Sequence, residues 1–215
     1  MALTGRSGLD RLSSWVPGDL DLWVIQREEL SPLGYAELWI RDGGTTPRDA
    51  AFTPLLTAWL DDFTARGVTA VGFGYILVRR PAADGVPLRR LERVTQPVSN
   101  VGAALRAGLA AHDVLATGLP ATLLVAPDVT EARHLLPGND DPSIIELRQG
   151  GGFARTITVD PALAGFVGAC DGDLTVVQIV SALADLFEVP LVELWADLEP
   201  RIRQLVLDGL LVPGE

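Results

Sequence analysis

Apolar side chains recur along this chain with two periods, and the switches between them mark its elements. Leu20, Leu22, Trp23, Val24 and Ile25 form a nearly unbroken apolar run that ends in Gln26, Arg27 and Glu28. That is the pattern of a strand buried on both faces in a mostly parallel sheet. Ser31-Pro32 then offers a capping hydroxyl followed by a proline suited to the first helical turn. Gly43-Gly44 supplies the stop, so a short helix is predicted that carries Tyr35 and Trp39. Leu55, Leu56, Trp59, Leu60 and Phe63 return at helical spacing and predict a second helix over about Pro54–Arg66, ended by Gly67. Two strands follow, over Ala70–Val78 and Leu88–Val94, expected as antiparallel neighbours in one sheet with Leu20–Glu28. Gly72 and Gly74 fall inside the first of them, where glycine signals a bulge or a close backbone approach.

The middle of the chain changes character. Val101, Ala104, Leu105 and Leu109 mark a helix over Val98–Ala111, and Ala121–Val125 reads as a short strand. Ser143–Arg148 and Phe153–Val159 read as a hairpin around Gln149-Gly150-Gly151-Gly152, after a polar loop over His134–Pro142. The last segment is helical. Helices are expected near Ala162–Ala169, Thr175–Phe187 and Leu191–Asp208, the second opened by a Thr175/Gln178 capping box. Asp171-Gly172-Asp173 reads as a turn, and Pro200 should kink the third helix or begin a new one. Leu210–Val212 is expected as an edge strand packed on the Ser143–Val159 hairpin. The fold class is therefore α/β to α+β, in three parts: residues 1–97, 98–159 and 160–215.

Composition narrows the function classes. The chain has 215 residues, enough to bury a sizeable core, and a mean hydropathy of +0.27 argues against general disorder. No apolar run approaches the length of a membrane helix, and Met1–Ser14 lacks the basic start and apolar stretch of a secretory signal. A cytoplasmic protein with no membrane partner is the expectation. The net charge is −11, all basic side chains are arginine, and Asp and Glu far outnumber Arg201 and Arg203 in the final segment. Such a surface repels phosphate, so no DNA partner is expected. Arg79, Arg80, Arg89, Arg90 and Arg93 form a local cluster across the first strand pair, read as a solvated face before an anion site.

Few residues offer chemistry. Cys170 is the lone cysteine and lies in an apolar stretch, so it reads as a buried structural thiol. His112 and His134 have no companion at metal spacing and read as surface histidines. Asp171 and Asp173 lack the further ligands of a calcium loop. Gln26, Arg27 and Glu28 stand where a strand of a parallel sheet presents its carboxyl end, the usual place for ligands. They are candidate substrate-binding residues, with a salt-bridged strand end as the plainer reading. Tyr35 and Trp39, four apart on one helix, are candidates for a lid over a substrate, with ordinary core packing as the commoner role.

Strand, helix and then an antiparallel strand pair is how a class I S-adenosylmethionine-dependent methyltransferase domain ends. The segments Trp23–Glu28, Tyr35–Gly44 and Val71–Arg80 resemble the C-terminal portion of actinobacterial methyltransferase-like proteins related to the HemK and small methyltransferases. The last segment, with Cys170-Asp171-Gly172 followed by Thr175-Val176 and Ile179, more weakly resembles a small winged-helix module of the PqqD-like kind. The first resemblance implies a Rossmann-like sheet whose cofactor half lies elsewhere. A Gly-rich turn leading from strand to helix and an Asn-Pro-Pro-aromatic motif are both missing here. Gly72-Phe73-Gly74 leads into more strand, and Asn139-Asp140-Asp141-Pro142 lacks the second proline and the aromatic. No catalytic, cofactor-binding or metal-binding residue is therefore assigned. S-adenosylmethionine is expected only of a complete protein, and the expected partner is an N-terminal methyltransferase half or another protein. A non-catalytic protein-binding module is the alternative, and a homo-oligomer is a further expectation of either.

Overall fold

The computed structural model describes residues 8–81 and 85–214, in two compact units divided between Thr95 and Gln96. The first seven residues, on which the reading of a leader partly rests, lie outside the described residues.

The first unit is built around one strand. β1 (Asp21–Leu30) buries Leu22, Trp23, Val24 and Ile25 in succession, as a central strand covered on both faces must. It follows the short helix α1 (Gly8–Trp15) and runs into α2 (Pro32–Asp42), which Ser31 caps by accepting from the Gly34 N–H at 3.1 Å. After α3 (Phe52–Ala65) come β2 (Val71–Arg79) and β3 (Arg89–Arg93). The three strands share one sheet, but the expected β2–β3 pairing does not form. The order is β2-β1-β3, with β2 antiparallel and β3 parallel to β1. The reason lies in β1, whose apolar run on both faces needs a hydrogen-bonded neighbour at each edge. Asp21 fixes this arrangement at the amino end. Its fully buried carboxylate accepts from Arg79 Nε at 2.6 Å and from the Leu88 N–H at 2.7 Å, tying both flanking strands to the centre.

The arginine cluster is dispersed by the same topology, because Arg79 sits on one edge strand and Arg89, Arg90 and Arg93 on the other. Arg89 donates to the carbonyls of Ser13, Val16 and Pro17 just after and within the last turn of α1. Arg90 lies over the Trp23 ring at 5.0 Å and pairs with Glu92, which also accepts from Trp23 Nε1 at 2.6 Å.

The second unit is α+β. Helix α4 (Val101–Thr117) leads into β4 (Thr122–Val125), and β5 (Val129–Leu135), β6 (Pro142–Gln149) and β7 (Thr156–Val159) form an antiparallel sheet in chain order. The β6–β7 hairpin agrees with expectation. β5 does not: its last two residues, His134 and Leu135, fall within the expected polar loop, and the rest has no strand pattern. Its residues Thr130, Glu131, Arg133 and His134 are exposed or charged, so only the pairing with β6 reveals it.

Helices α5 (Pro161–Gly168), α6 (Val176–Phe187) and α7 (Leu191–Asp208) lie within two residues of their predicted ends. The capping box forms, with Thr175 and Gln178 exchanging side-chain-to-backbone bonds. Asp171-Gly172-Asp173 is strand, not turn: it opens β8 (Asp171–Thr175), which pairs with β4. The terminal strand β9 (Leu211–Pro213) also pairs with β4, and not with the hairpin. β4 carries the fully buried Leu123 and so takes a neighbour on each side, giving the order β8-β4-β9. α7 runs unbroken through Pro200. That proline is exposed, and the carbonyl of Ala196 that it leaves unbonded is on an exposed residue where water can satisfy it. One core joins helices and sheets, with Phe166, Val180, Leu198 and Ile202 at its centre.

Candidate functional site

The carboxyl end of β1 gathers the predicted residues around a bulge. The β1–β2 register slips between Gln26 and Glu28, so Arg27 is the extra residue on its strand. The slip is matched on β2 by its two glycines. A Cβ at Gly74 would fall inside van der Waals contact of the Ile25 carbonyl oxygen, and one at Gly72 would touch the Gln26 side chain at 3.3 Å.

The bulge turns the three polar residues to different tasks. Arg27 donates to the carbonyl of Val94, just past β3. Gln26 donates from Nε2 to Glu29 at 2.9 Å, and Glu29 in turn pairs with Arg93 of β3 at 3.4 Å. Glu28 is exposed and stands opposite Phe73 of β2. Gln26 and Arg27 therefore knit β1 to its neighbours, the plainer of the two readings, and Glu28 projects at the rim.

Tyr35 stands at the centre of an aromatic cluster. Its ring lies 5.8 Å from Trp59, 5.9 Å from Phe63, 5.8 Å from Phe73 and 6.0 Å from Trp39. Edge-to-face and stacked geometries at these separations are favourable. Tyr35 joins α2 to α3 and to β2, so it is packing and not lid. Trp39 is 45% exposed at the edge of the cluster and is the one member with a broad open face. Because Phe73 both stacks on Tyr35 and faces Glu28, all five predicted residues belong to one neighbourhood of the first unit. The sequence reading missed Trp59, Phe63 and Phe73 as members. The i, i+4 spacing of Trp59 and Phe63, repeating that of Tyr35 and Trp39, was the available signal.

In the second unit Cys170, His134, Glu146 and Asp128 are held in structural pairings. Cys170 is buried and donates to the Phe166 carbonyl at 3.3 Å. Burial, with the nearby Asp171 charge, pushes its thiol up to about 12, so it stays protonated at neutral pH. His134 meets Glu146 at 3.1 Å on an exposed strand face, and the Arg148 guanidinium, then His134, hold the Glu146 carboxyl below its ordinary value. The glycine run leads from strand to strand. Asp128 accepts from the N–H of Gly151 at 2.8 Å and Gly152 accepts from the N–H of Ser99, so the loop is tied internally. Among the described residues no group of three metal-capable side chains comes together. No helix there is long and apolar enough to cross a membrane.

The neighbourhood thus offers an aromatic face at Trp39, a carboxylate at Glu28 and a bonded Gln26–Glu29–Arg93 rim. It can orient a ligand by stacking and hydrogen bonding. No protein-family profile, curated protein or solved structure matches this chain.

Proposed function

We propose that this chain is the C-terminal part of an S-adenosylmethionine-dependent methyltransferase-like polypeptide, non-catalytic alone, whose first unit shapes the substrate side of a site completed elsewhere. One observation carries the reading. A buried central strand runs straight into a capped helix and has one parallel and one antiparallel neighbour, with its polar carboxyl end beside an aromatic face. Mixed pairing of this kind suits the end of a mostly parallel sheet closed by an antiparallel strand. Substrates of such sheets gather at the carboxyl ends of the strands, where Glu28 and Trp39 stand.

The order β2-β1-β3 differs from the β2–β3 hairpin that the resemblance implies. A larger sheet would have to join at the outer edge of β2 or β3, or displace one of them from β1. The reading therefore makes two demands. Isothermal titration of the chain with S-adenosylmethionine should give no binding heat. The reading frame immediately upstream should encode a Gly-rich turn after a strand and an Asn-Pro-Pro-aromatic motif, and the joined polypeptide should bind the cofactor. Low-micromolar binding by the chain alone would sink the proposal, as would an upstream frame with neither motif.

A second reading, a protein-binding module in its own right, is favoured by the turn between α6 and α7. There Leu186, Phe187, Val189, Leu191 and Val192 are exposed together between Asp185 and Glu193. Apolar side chains at such density are a common mark of a protein contact. The acidic flanks and the overall charge suit a basic protein surface better than a nucleic acid.

A further inference from the structure

Among the described residues the outer edge of β2 is the longest unpaired strand edge of the first unit. Among the described residues β2 is hydrogen-bonded on one side only, to β1. Val71–Val78 carries no charge and no proline, while Tyr75, Ile76 and Val78 are 44%, 56% and 48% exposed. Folded proteins ordinarily blunt such edges with charges, prolines or a covering element, since unpaired N–H and C=O groups are a template for another strand.

We propose that β2 is a dimerisation edge, on which a second copy of the chain lays its own β2 antiparallel about a two-fold axis at Tyr75. This goes beyond the proposed function and does not rest on it. The strand is self-complementary in that register. Tyr75 meets its own counterpart, and Phe73 stands opposite the other copy's Leu77. On the alternate face Ile76 lies opposite Gly74, and Val78 opposite Gly72, so each branched side chain meets a position without one. Aromatic and branched cross-strand neighbours are the pairs that stabilise antiparallel ladders.

Charge selects the same orientation. Glu28 lies at the Val71 end of β2 and Arg80 at the other, while Glu29 and Arg79 are balanced at their own ends by Arg93 and Asp21. An antiparallel pair sets the acidic end of each copy beside the basic end of its mate, whereas a parallel pair would oppose like ends. The net charge of −11 resists association at long range. At physiological ionic strength that repulsion is screened beyond about 8 Å, and the eight-residue uncharged edge is about 27 Å long.

Sedimentation velocity on the full chain tests this. We expect a concentration-dependent monomer–dimer equilibrium, and Ile76→Lys should leave monomer at concentrations where the parent chain is mainly dimer, with an unchanged circular dichroism spectrum. Should that variant not fold, Tyr75→Cys decides. Its thiols meet at the axis, so mild oxidation should give a disulfide-linked dimer, while Thr57→Cys on exposed α3 gives little and Cys170 stays buried. Arg80→Glu should weaken the dimer and the added Glu28→Arg should restore it. A chain that stays monomeric throughout overturns the proposal. So does a dimer indifferent to Ile76→Lys, or one in which Tyr75→Cys crosslinks no better than Thr57→Cys.

Discussion

Asp160 caps α5 and reaches across to α7 with the same carboxylate. One oxygen accepts from the Leu163 N–H at 2.9 Å, and the other pairs with Arg201 at 2.7 Å. Arg201 is held in turn by Asp197, one helical turn before it, at 2.8 Å. Partial burial pushes the Asp160 carboxyl up, but the Leu163 N–H and the Arg201 guanidinium outweigh that, and the net result lies below its ordinary value. Local capping and long-range docking of two helices therefore depend on one ionised group.

The sign of the pH effect follows. A carboxyl whose folded value lies below its unfolded value contributes stability at neutral pH, and that contribution fades as pH falls through the folded value. Asp160→Ala should cost about 1 kcal/mol, the usual loss of an N-cap. Asp160→Asn keeps an oxygen that can cap but not the charge, so it isolates the Arg201 pairing. Urea unfolding at several pH values should show the difference between the chain and Asp160→Asn steady from pH 5 to 8. It should shrink below about pH 4, where unfolded aspartate protonates. A difference that grows on acidification would mean that the charge does not support this junction.

Tyr35 and Trp39 share a helix face, yet the geometry gives them different roles. Tyr35 touches α3 and β2 through Trp59, Phe63 and Phe73, whereas Trp39 meets the Tyr35 ring and is nearly half exposed. Tyr35→Ala should therefore destabilise the first unit by about 3 kcal/mol, the low end for removing a large aromatic from a packed site. Trp39→Ala should cost under about 1 kcal/mol, as exposed substitutions do. Thermal unfolding followed in the near ultraviolet separates them. Equal losses would show Trp39 to be structural too, and would remove it as the open face of a ligand site.

What was legible in the sequence followed from signals that act locally. Ser31-Pro32, Thr175 with Gln178, and Gly67 fix helix ends through bonds within a few residues, and each element is found where those residues put it. Strand partners are not local, and most of the differences are of that kind; the uninterrupted passage of α7 through Pro200 is not. Proximity in sequence favours pairing β2 with β3, but the doubly buried β1 takes one on each side. The β6–β7 hairpin is the nearest apolar layer in sequence for β9, but β9 pairs with β4, which carries the buried Leu123. Of the site, the strand end Gln26-Arg27-Glu28 was readable from where the apolar run stops. The bulge that separates their tasks was visible only as two glycines on a strand whose register with β1 no pattern reveals.

Those glycines permit a sharp comparison. Gly74 faces backbone: a methyl there meets the Ile25 carbonyl, which cannot withdraw without breaking the β1–β2 ladder. Gly72 faces the Gln26 amide at 3.3 Å, a side chain able to rotate aside. Overpacking against a fixed neighbour costs about 1–3 kcal/mol, so Gly74→Ala should lose at least about 2 kcal/mol and loosen the sheet at the bulge. Gly72→Ala should lose under about 1 kcal/mol, offset in part because alanine favours a strand over glycine. Urea titration gives the energies, and amide exchange at Gln26 and Phe73 reports the ladder. The decisive result is the order of the two losses. If Gly72→Ala is the costlier, the register between β1 and β2 is not the one that places Gly74 against Ile25, and the bulge at Arg27 lies elsewhere.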